Sequence, residues 1–216
     1  NNSYPTLYVA EVQIYDPSTN AWTTGADMPQ ALTIAEAVVM PNGLIYVMGG
    51  TNTNLSPSNL GNTQIYDPGT DTWSIGDPMS EVRYSGAALA LTDDVIIYIG
   101  GSNISEDLTY SDWMYYNVAD DYWYSSMNTL PEKFGGADAI FGPDGLIYLV
   151  GGNYSNQAYY TSGSTTHGGF CLNLYSSSQV FLPDMDFDRK YHAIGYDEEG
   201  NIFVLGGFSY DETVGD

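Results

Sequence analysis

The chain has 216 residues, 43% of them hydrophobic, with 27 Asp+Glu against 4 Lys+Arg and a formal net charge of −23. This length and apolar content suit one packed domain or a stack of repeats, and exclude a disordered tail. So negative a surface repels phosphate backbones and anionic lipid, which argues against nucleic-acid binding.

The imbalance comes from missing bases rather than from abundant acids. It is consistent with an environment outside the cell, either acidic or saline. Cys171 stands alone, so no internal disulfide is possible. No apolar run reaches the roughly 18 residues of a membrane span, and no signal peptide is present. The chain opens at Asn1 without Met, which reads as a processed chain or a fragment.

In chain order, an apolar strand at Tyr8–Tyr15 is followed by the turn Asp16-Pro17-Ser18-Thr19-Asn20 and a strand at Ala21–Thr24. The pattern returns at 64–73 and 114–123, and Tyr leads Trp by seven each time (Tyr15 and Trp22, Tyr66 and Trp73, Tyr116 and Trp123). In a degraded fourth copy, 173–181, Phe181 stands where Trp is expected. After each copy comes a Pro-containing loop, then a strand of small residues (35–40, 86–91, 136–141, 192–196). Small side chains suit an inner strand, where space tapers towards an axis. Tight turns follow, among them Pro41-Asn42-Gly43 and Pro143-Asp144-Gly145.

Next in each repeat is a short apolar run ending in two glycines: 43–50, 95–101, 145–152 and 201–207. Such a run reads as a buried strand, and the glycines allow a turn that a Cβ would obstruct. The second glycines stand at 50, 101, 152 and 207, spaced by about fifty residues, a period that marks a propeller or array.

With its double glycines, its Tyr-to-Trp spacing and its small-residue strands, the chain resembles the kelch-repeat β-propellers over nearly its whole length. The resemblance implies an all-β fold of four-stranded antiparallel blades, with the double glycine closing the second strand. The chain then holds a half blade at 1–29, blades at 30–79, 80–130 and 131–183, and a half blade at 184–216. That is four blades' worth. It forms either a closed four-blade ring or part of a larger propeller.

The connections between second and third strands are long and rich in Ser, Thr, Asn and Tyr: 51–62, 102–111 and 153–169. Long loops on a rigid scaffold are where binding tends to sit. Glycosylation sequons occur at Asn1, Asn54, Asn103 and Asn153. The last three follow a double glycine and so share one face. Aromatics outside the repeat positions, Tyr110, Trp113, Tyr154, Tyr159 and Tyr160, are candidates for contact with a ligand, with surface packing as the alternative.

Three of the four bases, Arg83, Lys133 and Arg189, precede their second glycines by 18, 19 and 18 residues. They read as one repeat position near the axis. Two roles follow: a ring that takes an anionic group, or pairing with Glu81, Glu132 and Asp188. Relatives of this type commonly carry Arg here.

Tyr191-His192 and Cys171 resemble features of the copper radical oxidases related to galactose oxidase, but the ligands copper needs do not assemble, since His167 lies in a polar loop. Asp184, Asp186 and Asp188 alternate as in a calcium loop, yet the Gly and Glu of that pattern are missing, and a solvated acidic loop fits better. No catalytic motif is present and no cofactor or metal is expected. The expectation is a non-catalytic extracellular or cell-surface module that binds protein or glycan, or builds a surface assembly, through its long loops. The alternative is a carbohydrate-active enzyme such as a copper radical oxidase.

Overall fold

In a computed structural model the described residues are 8–52, 61–103, 108–152, 168–174 and 178–209. They form strands and turns with no helix among them. An N-terminal half-sheet pairs β1 (Val12–Asp16) with β2 (Ala21–Gly25). The first full sheet is β3 (Thr33–Val39), β4 (Ile45–Thr51), β5 (Thr63–Asp67) and β6 (Thr72–Gly76), in that order. The second runs β7 (Ala87–Thr92), β8 (Val95–Ile99), β11 (Asp112–Asn117) and β12 (Tyr122–Thr129). Its long connection carries a small ladder of β9 (Ser102–Asn103) with β10 (Leu108–Thr109). The third sheet is β13 (Asp138–Phe141), β14 (Ile147–Val150), β15 (Gly169–Asn173) and β16 (Ser178–Phe181). A C-terminal half-sheet pairs β17 (Ala193–Tyr196) with β18 (Ile202–Leu205).

Every pairing is antiparallel, as short hairpin turns require, and the all-β propeller fold of four-stranded sheets is what the repeats imply. Among the described residues no ladder joins the two half-sheets.

Hydrophobic side chains alternate between the two faces of each sheet, so each sheet packs on the one before and the one after. Tyr46, on the first sheet, meets Tyr116 of the second with ring centroids 5.8 Å apart. Met48, Ile96, Tyr98 and Met114 complete that layer. The next layer sets Ile97, Ile99 and Trp113 against Ile147, Leu149 and Leu172.

The register shows what each Tyr–Trp pair does. Tyr15 lies opposite Trp22, Tyr66 opposite Trp73 and Tyr116 opposite Trp123, with ring centroids 5.2, 4.9 and 5.3 Å apart. The indole of Trp73 donates to the Ala26 carbonyl at 2.8 Å, and that of Trp123 to the Asp77 carbonyl at 3.1 Å. Each carbonyl belongs to the exit of the preceding sheet. The left-handed turn residues Asp71 and Asp121 accept the Tyr66 and Tyr116 hydroxyls and also the Ala26 and Asp77 amides. One turn thus clasps two sheets.

In the third sheet the same register places Leu172 opposite Gln179. The residue at the Trp position is therefore Gln179, and the expectation of Phe181 there is corrected. Phe181 pairs with Phe170, two residues further from the turn. Gln179 still donates to the preceding sheet, from Nε2 to the Thr129 carbonyl at 2.9 Å.

Candidate functional site

The inner strands begin on the face that carries the long second-to-third-strand connections, because β3 starts where β4 ends. At that end, Ile34, Ser85, Gly136 and Tyr191 occupy equivalent positions, spaced by 51, 51 and 55 residues like the double glycines. All four have positive φ, at 55°, 60°, 76° and 56°. Their backbones join sideways: Ser85 N–H donates to Ile34 O at 3.3 Å, Gly136 N–H to Ser85 O at 2.7 Å, and Tyr191 N–H to Gly136 O at 2.8 Å. A girdle of three peptide hydrogen bonds thus links the four sheets one to the next, and among the described residues none returns from Tyr191 to Ile34. The first glycine of each of the first three pairs leaves room for the backbone of the next sheet. Gly100 has φ +62°, and a Cβ there would collide with the Phe134 carbonyl.

Inside the girdle is a pocket of about 120 Å³ bordered by Glu36, Ser85, Asp138, Tyr191 and His192. Burial pushes Glu36 up to about 7, with Asp138 adding to the rise, and burial also raises Asp138. His192 is pushed down to about 4, chiefly by burial and then by Arg189. Its ring stands beside the Val150 backbone, yet among the described residues neither nitrogen meets a partner at hydrogen-bonding geometry. The Ser85 hydroxyl is likewise buried without a partner. The mouth therefore sets two carboxyls, both raised by burial and with Glu36 titrating near neutrality, beside an imidazole that is neutral at pH 7.

The bases do not form one ring. Arg83 and Arg189 are equivalent: each donates through Nη1 to the first glycine carbonyl of its own sheet, Gly100 at 3.1 Å and Gly206 at 3.0 Å. Lys133 stands one residue earlier, and Phe134 takes the equivalent place, its carbonyl accepting from Gly101. The shared position read from spacing is corrected here: a buried Phe in core contact fills it in the third repeat. Arg83 is 1% exposed, paired with Glu81 at 2.9 Å and Asp112 at 2.8 Å, and its guanidinium lies 3.8 Å from the Tyr110 ring centre. Its charge is neutralised within the chain. Arg189 is half-buried, and Lys133 is half-buried.

Tyr110 and Trp113 belong to the interior, correcting their reading as loop aromatics available to a ligand. Tyr110 is buried under Arg83, and Trp113 is a core residue whose indole donates to the Tyr115 hydroxyl at 2.6 Å. Asn103 lies half-buried in β9 on the loop face. Tyr154, Tyr159, Tyr160, Asn1, Asn54, Asn153 and His167 lie outside the described residues. Asp184 and Asp186 are exposed, while Asp188 turns in and accepts the Ser209 hydroxyl. Cys171 sits on β15 opposite Tyr148 and Val180, in a different sheet from His192. Among the described residues no three His, Cys, Asp or Glu side chains converge as a metal site.

Sequence reasoning missed Glu36, Ser85 and Asp138. The available signal was their place at the start of inner strands otherwise built from small residues, where a carboxyl has no structural reason to sit.

Residues 37–80 match the kelch motif. Over 180 residues the chain is 32% identical to Kelch-like protein terF of Aspergillus terreus, covering 80% of this chain and 38% of that protein. Kelch-like protein 23 of Homo sapiens is 26% identical over 241 residues, covering 94% and 42%. Alpha-scruin of Limulus polyphemus is 32% identical over 103 residues, covering 46% and 11%. With the repeats, the sheets and these matches together, the chain belongs to the kelch-repeat family of β-propellers. It spans about four tenths of the length of the first two of these relatives.

Proposed function

We propose that this chain is a non-catalytic binding module that holds a protein partner on its loop face, with one basic side chain of the partner entering the axial pocket. The observation that carries this reading is the pocket at the girdle. Its volume of about 120 Å³ is well below the roughly 300–1,000 Å³ of small-molecule sites, but it suits the tip of one projecting side chain. Its border of Glu36 and Asp138 sets the sign. A Lys or Arg tip neutralises them, and an anionic group is repelled. This reverses the charge that a ring of free bases would have selected, because Arg83 is already paired.

The module would act outside the cell or at its surface. The net charge of −23 and the sequons at Asn1, Asn54, Asn103 and Asn153 support that setting. A shift in gel mobility of the native protein after peptide N-glycosidase treatment would check it. Glycan contact through the remaining loop aromatics Tyr154 and Tyr159, and a surface assembly, are further forms of the same reading.

The test is selection from a displayed random peptide library, followed by titration of the enriched peptides. The expected peptides contain Lys or Arg, and Glu36→Gln/Asp138→Asn weakens them at least tenfold. Enrichment of acidic peptides, or equal affinity for the double variant, would overturn the proposal.

A further inference from the structure

Between the second and third sheets lies a second cavity, of about 430 Å³, on the turn side of the molecule. Its walls are mainly apolar: Leu91, Val95 and Tyr115 from one sheet, Phe141, Ile147 and Leu172 from the other. Tyr124 stands at its margin, with its hydroxyl donating to Asp120. Asn117 also borders it, but its Oδ1 already accepts the amides of Ala119 and Asp120. The volume falls within the range of small-molecule sites.

The repeat explains why this space exists. In the preceding interface the corresponding region is filled by rings. Tyr116 and Trp123 stack on each other, and Tyr116 meets Tyr46 across the gap. One repeat later the equivalent residues are Leu172, Gln179 and Ile97, as the pairing of Ile147 with Leu172, of Ile96 with Tyr116 and of Leu172 with Gln179 establishes. Three aromatic groups have become aliphatic or amide side chains. The sheets have not collapsed to compensate, because the girdle at one end and the Gln179 bond to Thr129 keep their separation. Tyr115 and Tyr124 replace Ile65 and Ser74 on the facing wall, which supplies flat ring surface.

We propose that this cavity binds a neutral, planar aromatic small molecule of one or two fused rings, which occupies the volume that Tyr and Trp fill one repeat earlier. Flat rings match the Tyr115 and Phe141 walls, where offset or edge-to-face contact adds to burial. Neutrality follows from the surroundings: the chain carries −23, and the wall holds no basic side chain for an anion. This site is separate from the axial pocket and takes a different class of ligand.

The probes are indole and 4-methylphenol, the free ring systems of Trp and Tyr, titrated calorimetrically onto the whole chain. Saturable binding at one site is expected. Leu172→Tyr/Gln179→Trp, which restores the residues of the preceding repeat, should weaken both probes at least tenfold and raise the melting temperature. Leu174→Phe, a single filling change at the margin, provides a second variant if the double change does not fold. A third arm compares 2-naphthol with 2-naphthalenesulfonate, and the anion should bind at least tenfold more weakly. Absence of saturable binding, undiminished binding to the folded filled variants, or equal binding of the anion would each overturn the proposal.

Discussion

The amide of Gly136 donates to the carbonyl of Ser85 at 2.7 Å, and both residues hold a left-handed backbone. This bond joins two sheets 51 residues apart in sequence, and its counterparts at Ile34 and Tyr191 extend it around the axis. The conformation is required by the link, so the side chain at each station is under steric selection. Glycine meets that demand without strain, and Ile34, with a branched Cβ at φ 55°, does not.

Ile34→Gly should therefore stabilise the fold by about 1 kcal/mol, less any gain in the freedom of the unfolded chain. The opposite change, Gly136→Val, should destabilise it, since its Cβ would stand 3.1 Å from the Tyr191 ring in addition to the backbone strain. Urea denaturation of both variants checks the pair, and a loss of stability in Ile34→Gly would contradict the strain argument.

Arg83→Met should cost about 3 kcal/mol, because it leaves Asp112 and the Gly100 carbonyl without their buried partner. Arg189→Met should cost less, since that side chain is half-buried and meets carbonyls only, at Val204 and Gly206. Chemical denaturation of the two variants side by side gives the difference.

Removing the indole donor and part of its buried ring, by Trp123→Phe, should cost about 2 kcal/mol through the lost bonds to Asp77 and Thr63 and the space left behind, with part of the stacking on Tyr116 retained. Trp73→Phe loses one such bond and should cost no more. A thermal melt of each variant measures this, and a cost at Trp73 well above that at Trp123 would contradict the assignment.

The pH dependence contains two opposed contributions. Glu36, raised from 4.5 to about 7, binds its proton more tightly in the folded chain, so stability from it is present below pH 4.5 and is lost as pH rises to about 7. His192, lowered from 6.5 to about 4, resists protonation in the folded chain, so stability is lost as pH falls from 6.5 towards 4. The two slopes offset one another between about pH 4.5 and 6.5. Glu36→Gln removes the first, so its stability should rise with pH across that window and exceed the parent by about 2 kcal/mol at pH 7.5. Denaturation curves at pH 4.5, 5.5, 6.5 and 7.5 are the measurement, and parallel profiles for variant and parent would refute the assignment.

The scaffold was legible because its determinants are local. Double glycines, hairpin turns and the seven-residue step from Tyr to Trp each describe one hairpin, and the structure pairs those residues face to face. Matching by residue type failed where a repeat had changed its residues. The true equivalents keep the repeat's own steps, Phe134 at 18 before Gly152 and Gln179 at seven after Leu172, but neither has the residue type of its counterparts, so Lys133 and Phe181 were chosen by type instead. The axial pocket was not legible from any one repeat. Glu36 and Asp138 are about a hundred residues apart, and only the packing of successive inner strands about one pocket lets one raise the pKa of the other. For Arg83 the pairing with Glu81 was legible, while its second partner, Asp112, comes from the third strand of its own sheet, which spacing from the glycines does not reveal.

In the girdle, each amide donor lies on the later sheet and each carbonyl acceptor on the earlier one. The three bonds therefore run in one sense along the chain, each later sheet hung by an amide on the one before. The carboxyl and imidazole side chains at the opening are those of Glu36, Asp138 and His192. Exchanging one carboxyl for a lysine would leave one group of each sign and so remove the preference for cations, while exchanging both would turn the opening towards anions.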